Sequence, residues 1–166
     1  MMIVVEERLA EVFAQLPPIG GVACKYHFGD GIEANKFIKG ANHDVYPLVY
    51  QTSNNWTGMV VPEIEVETDL VLLLCVQNLN QDMYNSERWA TSYRNVLLPL
   101  FENVDKALQR SGIISSDYRY SVRNYPNYSE RESKENNKFI DIVDAIEVSL
   151  RVTISANCVQ TINFNF

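Results

Sequence analysis

From Glu63 to Asp69 polar and apolar residues alternate strictly. Ile64, Val66, Thr68 and Leu70 fall on one side, Glu63, Glu65, Glu67 and Asp69 on the other. Side chains along a strand point alternately to the two faces, so this half belongs to a sheet with one wet face. From Leu70 to Val76 the run is apolar without alternation, and both faces must be covered there. The period then changes. Trp89, Tyr93, Val96, Leu97, Leu100, Val104 and Leu108 recur at spacings of about three and four, which predicts a long amphipathic helix folded back on the sheet and covering it. Asn85 or Ser86 can cap its start, and Gly112 stands just past its end. Pro99 has no N–H for the Asn95 carbonyl, so a bend is expected there, with the helix resuming beyond it.

The remaining patterns flank this unit. Val5, Leu9, Val12, Phe13 and Leu16 form the apolar stripe of a first helix over residues 3–16, with Glu6, Glu7, Arg8 and Glu11 on its wet side. Pro17 and Pro18 end it, because a proline disfavours the helical conformation of its predecessor. Strands are expected over 22–28, 45–51 and 118–124, with Pro47 at a strand start or sheet edge because it cannot donate to a ladder. Ile142, Ile146, Val148, Leu150, Val152 and Ile154 share one face of a last long strand, interrupted by Asp144. Residues 29–44 and 124–138 read as long loops, and 126–137 as the most mobile internal segment, because charge and polarity leave it little to bury. The tail, 159–166, alternates again and is expected to add an edge strand or reach a neighbour. The whole predicts an α+β fold: an antiparallel sheet with an N-terminal helix and one long central helix packed on one face.

Composition narrows the functional classes. The chain has 166 residues, within the range of a single domain spanning 1–166. A formal charge of −7 argues against a groove that grips nucleic-acid phosphates, but is compatible with DNA sliding past an acidic wall. Cys24, Cys75 and Cys158 include no CxxC pair and read as reduced, buried thiols of a cytosolic chain. The start has no basic region before its apolar run, and no stretch approaches the roughly 20 apolar residues that span a bilayer, so neither a signal peptide nor a membrane span is expected.

Candidate chemistry is sparse. His27 and His43 are the two histidines. His27 alternates with aromatic neighbours in a strand and reads as structural. His43 lies beside Asp44, a pair able to polarise a nucleophile, but no nucleophile motif accompanies it. The carboxylates Glu63, Glu65, Glu67 and Asp69, about 7 Å apart along one face, can chelate a cation or supply an acid and a base. They can equally form a solvated face balanced by Lys25 or Arg151. Tyr118, Tyr120, Tyr125 and Tyr128 with Arg119 and Arg123 suggest a single-strand stacking patch, yet Glu130, Glu132 and Glu135 follow at once, which favours a protein interface. No catalytic, cofactor-binding or metal-binding residue is assigned, and no cofactor is expected.

The order of elements, the run Tyr93-Arg-Asn-Val-Leu-Leu-Pro-Leu-Phe101 and the closing Asp141-Ile-Val-Asp-Ala-Ile-Glu-Val-Ser-Leu-Arg-Val-Thr-Ile154 resemble the tail terminator, or tail completion, proteins of long-tailed phages and prophages. The resemblance covers most of the chain as layout and phrasing. It implies a virion structural protein, not an enzyme: a head-tail joining subunit assembled in the bacterial host cytoplasm. It further implies a cyclic homo-oligomer such as a hexamer, contacts with tail-tube and neck proteins, and DNA passing through without tight binding. On that reading Glu63, Glu65, Glu67 and Asp69 form the acidic lumen face, and His43, Tyr125, Tyr128, Phe164 and Phe166 are candidate interface residues. The competing class is a small ligand-binding or enzymatic α+β domain with a pocket between sheet and long helix, lined by Trp89, Tyr93 and Tyr50. Solution mass separates the two, since a ring assembles and a ligand binder need not.

Overall fold

The computed structural model describes residues 3–52, 65–78, 82–115, 119–128 and 139–165. In chain order the elements are helix α1 (Val5–Phe13), strand β1 (Lys25–Gly29), helix α2 (Gly31–Gly40), strands β2 (Leu48–Thr52) and β3 (Glu65–Gln77), the long helix α3 (residues 85–110), and strands β4 (Arg119–Tyr125) and β5 (Val143–Ser155). The strands form one sheet in the order β1-β2-β3-β5-β4. The two most regular patterns in the sequence pair with each other: β3 and β5 run antiparallel in unbroken register from Glu65↔Ser155 to Gln77↔Val143. All other neighbours are antiparallel except β1 and β2, which are parallel.

That parallel pair explains the largest departure from the expected elements. Parallel neighbours need a crossover connection, commonly a helix. Residues 29–44 supply one, so the expected loop is α2 flanked by short turns. Asp30 caps it, its Oδ1 accepting the Glu33 N–H at 2.9 Å. Ala34 and Ile38 are fully buried on its inner side.

Each face of the sheet has its own cover. On one, α1 and α3 bury Leu9, Val12, Phe13, Leu97, Leu100 and Val104 against Leu70, Leu72, Leu74, Ile146, Val148 and Val152. The expected placement of both helices on one face is therefore observed. On the other, Ala34, Ile38, Tyr128 and Phe139 cover Leu48, Tyr50, Leu73, Cys75 and Ala145. Thus α2 and the segments around Tyr128 and Phe139, not the long helix, cover the second face of the apolar run. Glu6, expected on the wet side of α1, is buried.

Helix α3 neither starts nor passes Pro99 as expected. Tyr84 precedes it in extended conformation without a side-chain cap, so neither Asn85 nor Ser86 plays that part. It opens as α over Asn85–Arg88, widens to π over Trp89–Leu97 and returns to α over Leu98–Arg110. The widened stretch is marked by N–H groups that reach back five residues, as Leu98 N–H does to Tyr93 O. Pro99 then falls in the first turn of the closing α segment, where a missing N–H costs little. The proline is absorbed by a change of helix type, without a break. At the far end Gly112, at φ +77°, turns the chain away as expected.

The C-terminal tail forms no strand over its described residues. It lies back on its own chain: Ile162 is buried in the core and its N–H donates to Gln15 Oε1 at 2.8 Å. Lys106 Nζ donates to Phe164 O at 3.3 Å, and Arg110 donates to Asn163 O and Asn165 O.

Candidate functional site

The open part of the structure is the far side of the sheet, where β3, β5 and β4 extend past the second cover. Alternation places Glu65, Glu67 and Asp69 outward on β3, all exposed. Glu63, the fourth member of the expected stripe, lies outside the described residues. Cross-strand register sets Asp69 opposite Arg151 and Arg151 opposite Arg119. The Arg151 guanidinium donates to Glu67 Oε1 at 2.5 Å and to Asp69 Oδ1 at 3.3 Å. These carboxylates hold the Arg151 charge more firmly than usual, Glu67 contributing most. The stripe is therefore part of a mixed-charge face. Arg151 is the balancing partner foreseen for it, whereas Lys25 donates instead to the Asp44 carbonyl. Arg119 and Arg123 stand on the same face by register, opposite Arg151 and Glu147.

Strand β4 bounds this region. Among the described residues its ladder partner is β5. Arg119 through Asn124 are exposed on both faces, and Tyr125 is half-buried. On the helical face Tyr120 packs edge-on against Phe101 of α3, with ring centroids 5.7 Å apart. Tyr120 and Val122 nevertheless remain 45% and 46% exposed. Its seven residues include no lysine or proline, but Arg119 and Arg123 set two charges along it, which discourages pairing with another chain.

Two polar clusters lie elsewhere. His43 follows α2 in a left-handed conformation at φ +63°. Its partner is Asp141, not the adjacent Asp44. Asp141 Oδ1 lies 2.7 Å from His43 Nδ1, and Oδ2 accepts the Tyr46 hydroxyl at 2.8 Å. The nearly buried carboxylate orients an imidazole that is 45% exposed, which ties the end of α2 to the approach to β5. The second cluster is interior. Arg88 Nε stands 3.1 Å from Asp144 Oδ1, and both side chains are out of water. The angle at Nε is wrong for a hydrogen bond, so the attraction there is between charges. Asp144 Oδ1 also accepts from Asn127 N at 3.2 Å and Asn78 Nδ2 at 3.4 Å. The interruption of the β5 stripe at Asp144 is the sequence signal for this cluster, which carried no assignment.

The other sequence candidates divide. His27 is structural, stacked on Phe37 at 4.2 Å with Nε2 2.9 Å from Glu33 Oε1. Tyr128, a candidate interface residue, belongs to the core, wedged against Phe139 and Tyr125. Tyr125 is half-buried beneath the Arg123 guanidinium. Phe164 packs on its own core, and Phe166 lies outside the described residues. Cys75 is buried and its thiol is pushed well above the usual range by desolvation, but Cys24 is half-buried and Cys158 exposed. Trp89, Tyr93 and Tyr50 do not converge on one pocket. Tyr93 stacks on Trp89 on the helical face, whereas Tyr50 belongs to the core of the opposite face.

Among the described residues no cluster of three or more His, Cys, Asp or Glu side chains converges to hold a metal ion. Nor is any described helix long and apolar enough to cross a membrane. No protein-family model matches the chain, and neither a curated protein nor a solved structure matches it.

Proposed function

We propose that the chain is a self-assembling structural subunit of the phage tail-terminator kind, a ring component at the head-tail junction. The observation that carries this reading is strand β4, the last in the sheet order, with Arg119 through Asn124 exposed on both faces. A ring subunit needs surface outside its core for two neighbours, and an exposed edge strand offers such surface. Tyr93 and Tyr50 lie on opposite faces of the sheet, so they do not line one pocket as the ligand-binding alternative expects.

In this reading the wet face of β3 and β5 looks into the lumen. Glu65, Glu67, Asp69 and Glu147 share that face with Arg119, Arg123 and Arg151. A near balance of charge neither grips phosphates nor strongly repels them, which suits DNA in transit. The partners are further copies of the chain, the tail tube and the neck, and the site of action is the virion, after assembly in the host cytoplasm.

The test is to inactivate the gene in the phage or prophage that carries it and view the particles by electron microscopy. Heads and tail tubes that form but do not join, restored by the protein in trans, are the expected result. Normal joined particles would overturn the proposal.

A further inference from the structure

We propose that the groove holding the C-terminal tail is a peptide-binding site, and that in the assembled protein its occupant is the tail of a second copy. The inference rests on the ring reading and names the element that joins one copy to the next.

The groove reads the main chain of its occupant. Where the tail leaves β5, Arg8 of α1 donates to the Ser155 carbonyl at 3.4 Å and to the Asn157 carbonyl. Gln15, just beyond α1, then grips the chain with both ends of its amide. Its nitrogen donates to Gln160 O at 3.0 Å and its oxygen accepts the Ile162 N–H at 2.8 Å. One side chain thus supplies the donor and the acceptor that a neighbouring strand would offer. From α3, Lys106 donates to Phe164 O at 3.3 Å, and Arg110 donates to Asn163 O and Asn165 O. None of these bonds depends on which side chains the tail carries.

Selectivity comes from alternate positions. Ile162 is buried and Phe164 half-buried against the core, while Thr161, Asn163 and Asn165 are exposed, the period of an extended path. Main-chain bonds combined with seats for alternate side chains are the means by which an extended peptide is recognised in trans. The ligand class is therefore an extended, uncharged segment with apolar side chains two residues apart.

Two features point to exchange between copies. The tail is held at the surface: the bonds from Gln15 to Gln160 O and from Arg110 are open to water, and of residues 156–165 only Ile162 is buried. Local opening of such a segment gives up few apolar contacts and costs far less than unfolding the protein. The second feature is charge. Residues 156–165 carry no charged side chain in a chain of formal charge −7, so the segment approaches another acidic copy without repulsion. Every copy has the same groove, in which the same bonds re-form, and exchange of identical elements needs no new interface. Residues 156–159 are the span that redirects the tail. They lie between the Ser155 N–H, held by Ile113 O, and the Gln160 N–H, held by Ser111 O.

A fluorescein-labelled peptide of residues 156–165, carrying Cys158→Ser, is titrated into the full-length chain and followed by anisotropy. Saturable binding is expected. A full-length Ile162→Asp chain, confirmed folded by circular dichroism, is expected to bind the peptide about tenfold more tightly, because its own tail no longer competes. A peptide with Ile162→Asp is expected to bind neither chain. If the Ile162→Asp chain fails to fold, Phe164→Ser at the half-buried position replaces it. In native mass spectrometry, Ile162→Asp chains are expected to need about tenfold more protein than wild type to assemble, and excess peptide to dissociate wild-type assemblies. Assembly of wild-type chains without peptide binding would overturn the inference and leave the ring reading standing. Peptide binding with assembly unchanged by the variant and by excess peptide would show a groove filled by its own tail, and would also overturn it. Wild-type chains that remain monomeric at every concentration would overturn both.

Discussion

Arg88 and Asp144 form an ion pair sealed inside the protein, with side chains 7% and 0% exposed. The pair joins the first turn of α3 to the start of β5 and draws in Asn78 from the end of β3. Removing one member leaves the other charge buried without this charge partner, which costs about 3–5 kcal/mol. Asp144→Ala and Arg88→Ala are each expected to lower unfolding stability by that amount, read from urea denaturation at neutral pH. The double replacement Arg88→Met with Asp144→Leu is expected to cost less than either single change. A loss below about 1 kcal/mol in both single variants would contradict the account.

Gly112 is expected to resist substitution for two reasons. Its φ of +77° is costly for any side chain, and an added Cβ would lie 2.6 Å from the Gln160 side chain. Gly20, at φ +59°, has open space around it. Thermal melts should show Gly112→Ala losing more than about 1 kcal/mol and more than Gly20→Ala. Equal losses would mean that the Gln160 contact yields freely.

Burial raises the Cys75 thiol and the Tyr26, Tyr46 and Tyr50 hydroxyls above their ordinary ranges. For Tyr46 the Asp141 carboxylate adds to the effect. A group whose folded pKa is raised contributes stability that is fully present below its unfolded pKa and lost as pH rises past it. Stability should therefore be level near neutrality and fall as pH climbs from about 8.5 through 10, where the unfolded thiol and phenols ionise. Denaturant midpoints across that range test the sign. The same burial predicts that a thiol reagent labels Cys158 first, with Cys75 protected until the chain unfolds.

Strands β3 and β5 and the stripe of α3 were legible because each repeats one period over many residues, and a long repeat outweighs local exceptions. Helix α2 was hidden by its asparagine, glycine and lysine content. Its signals were nevertheless present: Asp30 three residues before Glu33, then Ala34, Phe37 and Ile38 at helical spacing. The pairing of Asp141 with His43 and of Asp144 with Arg88 was not legible, because both unite residues far apart in sequence. Local alternation also could not show that the tail would fold back on α1 and α3. Of the candidate site, the acidic stripe was readable from its period. The arginines that balance it became visible once the register of β4, β5 and β3 was known.

The central claim is self-assembly into a closed ring. The most direct measurement is the mass distribution of the purified full-length chain, by native mass spectrometry across a concentration series. The account predicts a single closed species of fixed stoichiometry that grows at the expense of monomer and nothing larger. A monomer at every concentration, or an open-ended ladder of sizes, would contradict it.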